Sequence, residues 1–230
     1  MKMHPMMIAA PVSIAIGYTM GNFNPSYLIG KMQGFDVREV GTQNAGASNI
    51  LMLSGKKLGA AVAILDILKA ASAGWICKAL FPKVRQAGLI GSTAAQLGHM
   101  FPVALGFRGG KGLACMGGVV LSYDPKMLLK MLAFAIAIGF GSGYIALATI
   151  SMAIIWPICY GLSTQDLLGT GILLIPAGPI FYRHIPNLQR IAKGEEARLD
   201  YLWKGVQEIE RIGALDLAPV EVLRKKGLLK

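Results

Sequence analysis

The sequence predicts an all-α, polytopic integral membrane protein of about seven transmembrane helices, and three observations carry that prediction. Hydrophobic residues make up 54% of the chain and charged residues only 15%, where a soluble domain usually carries about a quarter. Long stretches such as 5–30 lack charge altogether, and the mean hydropathy is +0.53. The lysines and arginines behind the net charge of +11 collect between the apolar runs and in the tail. Cytoplasmic loops of membrane proteins show that placement, so the charge is not read as a nucleic-acid surface.

The runs fall at 6–30, 57–81, 88–106, 112–123, 127–141, 144–162 and 167–183. The first begins "MKMHPMMIAAPVSIAIGYTMG", with one Lys, a Pro inside the apolar run and no clean small-residue cleavage site. It reads as a retained span rather than a leader. Several runs are shorter than the ~20 residues of a straight crossing, so short or broken helices are expected. Re-entry of 88–123 without crossing would reduce the count to five or six. Turn signals separate the runs: Phe81-Pro82-Lys83, the glycine-rich 106–112, Asp124-Pro125, Gly141-Ser142-Gly143 and Ser163-Thr164-Gln165-Asp166.

Seven spans with an outward N-terminus place Lys31, Arg38, Lys56, Lys57, Arg108, Lys111 and the tail on the cytoplasmic side. Lys2, Lys83, Arg85, Lys126 and Lys130 stay on the other. The polar Gly/Asn-rich loops then share one face. Residues 1–195 form the membrane domain and 196–230 an amphipathic, basic, cytoplasmic tail. In that tail Leu199, Leu202, Trp203, Val206, Ile209 and Ile212 predict a helix over 196–213 that packs on the domain or lies on headgroups. Cys77, Cys115 and Cys159 lie far apart, with no Cys-x-x-Cys pair, and read as packing residues rather than a disulfide or zinc framework.

Four polar constellations stand out against this background. In "GTQNAGASN" (41–49), Thr42, Asn44, Ser48 and Asn49 offer hydroxyls and amides among small residues, a cradle for an anion. The alternative is a polar loop whose Asn or Ser caps a helix beginning near 49. "GFRGGKG" (106–112) is no Walker loop. Leu105 stands where its first glycine belongs, and Gly112 where Ser or Thr would bind magnesium. Four glycines with Arg108 and Lys111 still suit close approach to a phosphate better than a plain turn. Asp66 and Lys69, three apart, share a helix face and form either a structural pair or part of a polar cavity. His99 precedes the glycine loop. "RHIPNLQRIAKGEEA" (183–197) brings His184, Asn187, Arg190 and Glu196 to the membrane surface. A neutral histidine there takes a proton from a substrate hydroxyl and a carboxylate orients it, unless the segment is an ordinary basic juxtamembrane stretch.

In order, "YLIGK", D-x-R-x-x-G-T-x-N-x-G-A-S-N, GKK-x-G with "LDILK", "GHMFPVALGFRGGKG" and H-x-x-N-x-x-R-x-x-x-G-x-E resemble the bacterial acyl-phosphate:glycerol-3-phosphate acyltransferases, the PlsY family. The resemblance runs from about Gly21 to Glu196. It implies a multi-pass enzyme of the bacterial cell membrane with its site facing the cytoplasm. Such an enzyme moves a fatty acyl group from acyl phosphate to the 1-hydroxyl of sn-glycerol 3-phosphate, without metal, cofactor, acyl-CoA or acyl carrier protein. Thr42, Lys111 and His184 become the catalytic candidates. Asn44, Ser48, Asn49, His99, Arg108, Gly109, Gly110, Gly112, Asn187 and Glu196 become the substrate-binding ones. Lys111 with Gly109, Gly110 and Gly112 falls on the family's phosphate-binding loop.

The chain also departs from the family pattern. Thr42 replaces the usual serine, and Met52 replaces an arginine. "GYIALAT" replaces R-Y-x-S-x-x-S, so that Gly143, Ala146 and Thr149 stand for an arginine and two serines. Ile185-Pro186 interrupts H-R-x-N, and Pro25 is shifted by one in the early G-S-x-P. Each lost charged hydrogen bond to phosphate costs about 1.5–3 kcal/mol, unless Arg108, Arg183 or Arg190 compensates. A second reading is therefore an altered paralogue that binds lipid precursors in a regulatory or scaffolding role. A third, a small transporter, leaves the Gly/Asn motifs unexplained. Oligomeric state is left open.

Overall fold

The computed structural model describes residues 5–200 and 202, and all regular structure among them is helical. In chain order the elements are α1 (Pro5–Asn22), α2 (Pro25–Met32), α3 (Ala47–Ser54), α4 (Lys56–Leu80), α5 (Ala87–Met100), a 3₁₀ turn (Val103–Leu105), α6 (Leu113–Tyr123), α7 (Pro125–Ser142), α8 (Ile145–Thr164), α9 (Leu167–Leu174) and α10 (Ala177–Lys193). Four stretches are long and apolar enough to cross a membrane: Pro5–Met32, Lys56–Leu80, Pro125–Ser142 and Ile145–Thr164. The other predicted runs also become helix, in shorter pieces. The break after α1 follows from Asn24, whose side chain accepts from the Tyr27 N–H and starts α2, with Pro25 at its first position. The 88–106 run stops at Met100 because Phe101 precedes Pro102 and leaves the helical region.

Small residues set the closest packing. Ala9, Ser13, Gly17 and Gly21 form the buried stripe of α1, and α5 answers with Gly91, Ala94, Ala95 and Gly98. A Cβ on Gly17 would collide with the Gly91 carbonyl, and one on Gly21 with that of Ala95. Backbones meet directly here, which is how helices gain dispersion energy in lipid, where apolar burial alone drives nothing. Cys77 packs in the same region, against Gly91. Cys77 and Cys115 are buried and Cys159 is half-buried, all as free thiols.

The connections segregate to two ends. At one end, Arg38 Nη1 donates to the Leu105 carbonyl (2.8 Å), Arg183 Nη2 to that of Gly109 (2.6 Å) and the Leu199 N–H to that of Gly143 (2.8 Å). At the other, Gln86 and Arg85 reach Asp166. The Gly/Asn loop, the glycine loop and the segment after α10 therefore meet, as the charge pattern predicts.

The tail differs from expectation. No helix begins at 196. Residues 195–200 are irregular, and Ala197 and Leu199 join a core cluster with Phe35, Val37, Val40, Ile50 and Leu53. Burying these side chains under the first loop holds the irregular segment against the domain. Trp203, Val206, Ile209 and Ile212 lie outside the described residues.

Candidate active site

The glycine loop owes its composition to its neighbours. Gly106 (φ 62°) ends the 3₁₀ turn and Gly112 (φ 89°) precedes α6, both in the left-handed region that disfavours side chains. Gly109 and Gly110 serve differently. Their N–H groups donate to the Met100 and His99 carbonyls (3.3 and 3.1 Å), and a Cβ on either would run into the end of α5. These backbone donors are thus already bonded, against the expectation that they hold phosphate. Arg108 also departs from expectation. It turns outward to pair with Glu39 (2.9 Å) and donates to the Arg38 carbonyl (3.3 Å). The loop is built to deliver one cation inward, Lys111.

A cavity of about 520 Å³ opens beside it. Its polar end is lined by Thr42, Asn44, Ser48, Asp66, His99, Lys111, Gly112, His184, Asn187 and Glu196. Lys111 Nζ donates to Asn187 Oδ1 (2.6 Å), Asn187 Nδ2 donates to Glu196 Oε1 (2.5 Å), and Arg190 Nε donates to Glu196 Oε2 (2.7 Å). Asn187 and Glu196 are 4% and 5% exposed, so this relay fixes the lysine from behind and neutralises Arg190. Burial pushes the Lys111 ammonium down to about 8, opposed by Glu196 and aided by Arg190 and Arg183.

His184 stands on α10 past the last apolar run, three residues before Asn187. Its Nδ1 lies 2.7 Å from the Ile180 carbonyl, which only accepts, so Nδ1 carries the proton and Nε2 keeps its lone pair. Burial first, then Lys111 and Arg183, pushes its pKa down to about 4, opposed by that hydrogen bond, so the ring is neutral near pH 7. The carboxylate expected to orient this histidine is committed elsewhere, and a helix carbonyl does the orienting.

Asn49 lies outside the cavity. Because α3 starts at Ala47, Asn49 faces inward with no exposure. Its Nδ2 donates to the Val37 and Val40 carbonyls (2.9 Å each) and its Oδ1 accepts from the Thr42 N–H (2.9 Å). It shapes the loop instead of touching substrate. Neither Asn nor Ser caps α3: the N-cap is Gly46, without a side-chain bond. That leaves Gly46, Ala47 and Ser48 at the cavity, where the helix N-terminus suits an anion. Asp36 and Arg38, unassigned from sequence, staple this loop. Arg38 binds both Asp36 oxygens (2.9 and 2.7 Å) and holds the Asp36 carboxyl well below the usual range.

Met52, buried at 4% exposure, lines the cavity where the resembling family carries arginine. The expected compensators are absent from the lining: Arg108 faces Glu39, Arg183 holds Gly109 and Arg190 holds Glu196. Among the described residues, Lys111 is the one lysine or arginine lining the cavity.

Away from the polar end the wall is apolar. The α7 residues Leu128, Met131, Leu132, Ala135, Ile136, Gly139 and Phe140 line it at helical spacing, opposite Gly59, Ala60, Ala63 and Ile67 of α4, with Trp156 also in the wall. Asp66, His99 and Cys115 bring ligand atoms within 4.8 Å of one another. The Lys69 ammonium already takes Asp66 Oδ1 (2.7 Å) and His99 Nδ1 (2.9 Å), which disfavours a cation there.

The glycerol-3-phosphate acyltransferase family model matches residues 11–194. A glycerol-3-phosphate acyltransferase of Allorhizobium ampelinum is 36% identical over 193 residues, 81% of this chain and 90% of that one. Another, of Geobacillus kaustophilus, is 33% identical over 84% of this chain and 96% of its own. The glycerol 3-phosphate form of PlsY (YgiH), an integral membrane glycerol 3-phosphate acyltransferase, superposes with a TM-score of 0.77 at 31% identity, covering 84% and 96%. Its lysophosphatidic acid form gives 0.75 at 29%, covering 87% and 98%. With the helical bundle, the amphipathic cavity and these relatives in agreement, the chain belongs to the glycerol-3-phosphate acyltransferase family of integral membrane proteins.

Proposed function

We propose that this protein transfers a fatty acyl group from acyl phosphate to the 1-hydroxyl of sn-glycerol 3-phosphate, releasing lysophosphatidic acid and inorganic phosphate. One observation carries the reading: a single cavity joins a polar end holding Lys111, His184 and Asn187 to a long apolar wall. That shape suits one small anion and one acylated anion meeting head to head. Solved relatives in glycerol 3-phosphate and lysophosphatidic acid forms support the same substrates.

Lys111, steadied by Asn187, binds the acceptor phosphate. The donor phosphate lies toward Thr42, Asn44, Ser48 and the N-terminus of α3. His184 Nε2 takes the hydroxyl proton as the oxygen attacks the acyl carbon. The carbon–oxygen bond to phosphate breaks, the leaving phosphate carries off the electron pair, and the proton passes to it. The mixed anhydride is already activated, so alignment and charge stabilisation suffice. The site faces the cytoplasm of a bacterial cell membrane crossed seven times, with the acyl chain along α7.

The test is an assay of purified protein with palmitoyl phosphate and labelled glycerol 3-phosphate. Lysophosphatidic acid that is abolished by Lys111→Ala or His184→Ala is the expected result. No product, under conditions where a typical relative turns over, overturns the proposal and favours a binding role. Met52 in the cavity wall is the observation on which that second reading rests.

A further inference from the structure

The Asp66–Lys69–His99 cluster is a buried ionisable group that the reaction above leaves without a task. Its members are 1%, 7% and 3% exposed, and the Lys69 ammonium has three acceptors around it: Asp66 Oδ1 at 2.7 Å, the Phe23 carbonyl at 2.7 Å and His99 Nδ1 at 2.9 Å. The Phe23 carbonyl lies in the link between α1 and α2, so the ammonium is held from that link, from α4 and from α5. An ammonium group has donors only. A ring nitrogen 2.9 Å from it must therefore present a lone pair, and the ring proton moves to Nε2. Asp66 Oδ1 lies farther from the same Nδ1, at 3.4 Å, than the Lys69 ammonium does, at 2.9 Å. The Cys115 thiol near the cluster is a weak donor that leaves this accounting unchanged.

Nε2 emerges beside the glycine loop. A Cβ on Gly110 would collide with it, so the absence of a side chain at 110 leaves the ring edge room at the cavity that His99 lines. His184 lines the same cavity with its proton on Nδ1 and its lone pair on Nε2.

We infer that Lys69 is a positioning residue that locks His99 in the Nε2–H tautomer, so that two histidines of opposite tautomer face one cavity. His99 donates a hydrogen bond to a phosphoryl oxygen of the acyl donor, and His184 accepts the proton of the attacking hydroxyl. Buried Asp66 pairs with Lys69 at 2.7 Å. The catalytic half of this inference rests on the proposed reaction; the tautomer half does not.

The tautomers are read directly by ¹⁵N and ¹³C NMR of the full chain in nanodiscs with labelled histidine. The chain holds three histidines, His4, His99 and His184, so each is assigned by one substitution. An Nε2–H ring at His99 with an Nδ1–H ring at His184 is expected, and Lys69→Met moves the His99 proton to Nδ1. A doubly protonated or Nδ1–H His99 in the unaltered protein overturns the inference, and so does an unchanged ring in a folded Lys69→Met. If Lys69→Met does not fold, Lys69→Arg retains donors only and keeps the Nε2–H ring. An Nδ1–H ring in that variant overturns the inference.

The activity arm compares His99→Gln, whose amide nitrogen reaches the Nε2 position, with His99→Asn, whose amide reaches only Nδ1. The Gln variant keeps acyl-phosphate kcat/KM within about tenfold, and the Asn variant loses roughly a hundredfold. Equal losses overturn the donor role. If no acyl transfer is seen at all, the proposed reaction fails while the NMR result still decides the tautomers.

Discussion

Two buried polar networks sit at opposite ends of the bundle and differ in how completely they are satisfied. Around Asp166, Oδ1 accepts from the Gly169 N–H (3.0 Å) and Gln86 (3.3 Å). Oδ2 accepts from the Tyr160 hydroxyl (2.8 Å) and Gln86 (3.2 Å), with Arg85 3.6 Å away. None of these residues lines the large cavity. Around Lys111 the bonds run one way, Lys111 to Asn187 to Glu196, and the ammonium and His184 Nε2 keep capacity at the cavity. Asp166 closes the start of α9 onto α5 and α8, and its network ties the helices together. The Lys111 network spends only enough bonds to hold its donors still. Buried polar groups that only hold a fold are saturated, because each open valence costs about 1–3 kcal/mol. Open valence is kept where a ligand completes it.

The comparison breaks most sharply on Lys111→Met. The acceptor kcat/KM falls by roughly two to three orders of magnitude, since the phosphate loses the one lysine or arginine that lines the cavity among the described residues, while the thermal midpoint in detergent barely moves. A drop in midpoint with activity intact would make the two networks alike. Asp166→Ala gives the mirror result. Breaking a buried charge cluster costs about 3 kcal/mol, which lowers the midpoint by several degrees, while kcat of the folded fraction stays unchanged.

The pH profile adds a smaller effect. The Lys111 ammonium is present below about 8 and lost above it, so acceptor kcat/KM declines up to tenfold per pH unit beyond 8. His184, held down to about 4, works as a base above that value, so the acid limb falls only as pH approaches 4. Steady-state kinetics from pH 4 to 10 check both limbs, and an alkaline limb that survives in Lys111→Arg would assign it to another group. Smallest of all, Met52→Arg returns a cation to the cavity wall. The KM for glycerol 3-phosphate falls about tenfold or less, with some loss of stability from burying charge.

Much of this was legible in the chain. The apolar run 57–81 predicted α4, and Asp66 with Lys69 three residues on suggested a structural pair or part of a polar cavity; the structure pairs them at 2.7 Å. "GFRGGKG" predicted an inward Lys111. The failures share one cause. Asn49, Gly109 and Gly110 sit in the same motifs as Thr42 and Lys111, yet their polar groups are turned to backbone partners. Motif membership says that a residue matters to the site. It does not say whether the residue touches a ligand or shapes the loop that does.

The sequence by itself determined the helical membrane class, the segregation of polar loops to one end and most of the polar residues gathered at the cavity, because hydropathy and turn chemistry are local. Only the tertiary structure decided which of those residues face the cavity. The phase of α3, begun at Gly46, turned Asn49 away. Contact with the end of α5 used up the glycine N–H groups, and packing against the first loop drew Leu199 of the tail into the wall. The α7 wall was equally invisible beforehand. Lipid and an apolar cavity ask for the same side chains, so a helix facing both carries no periodic mark of which side is which.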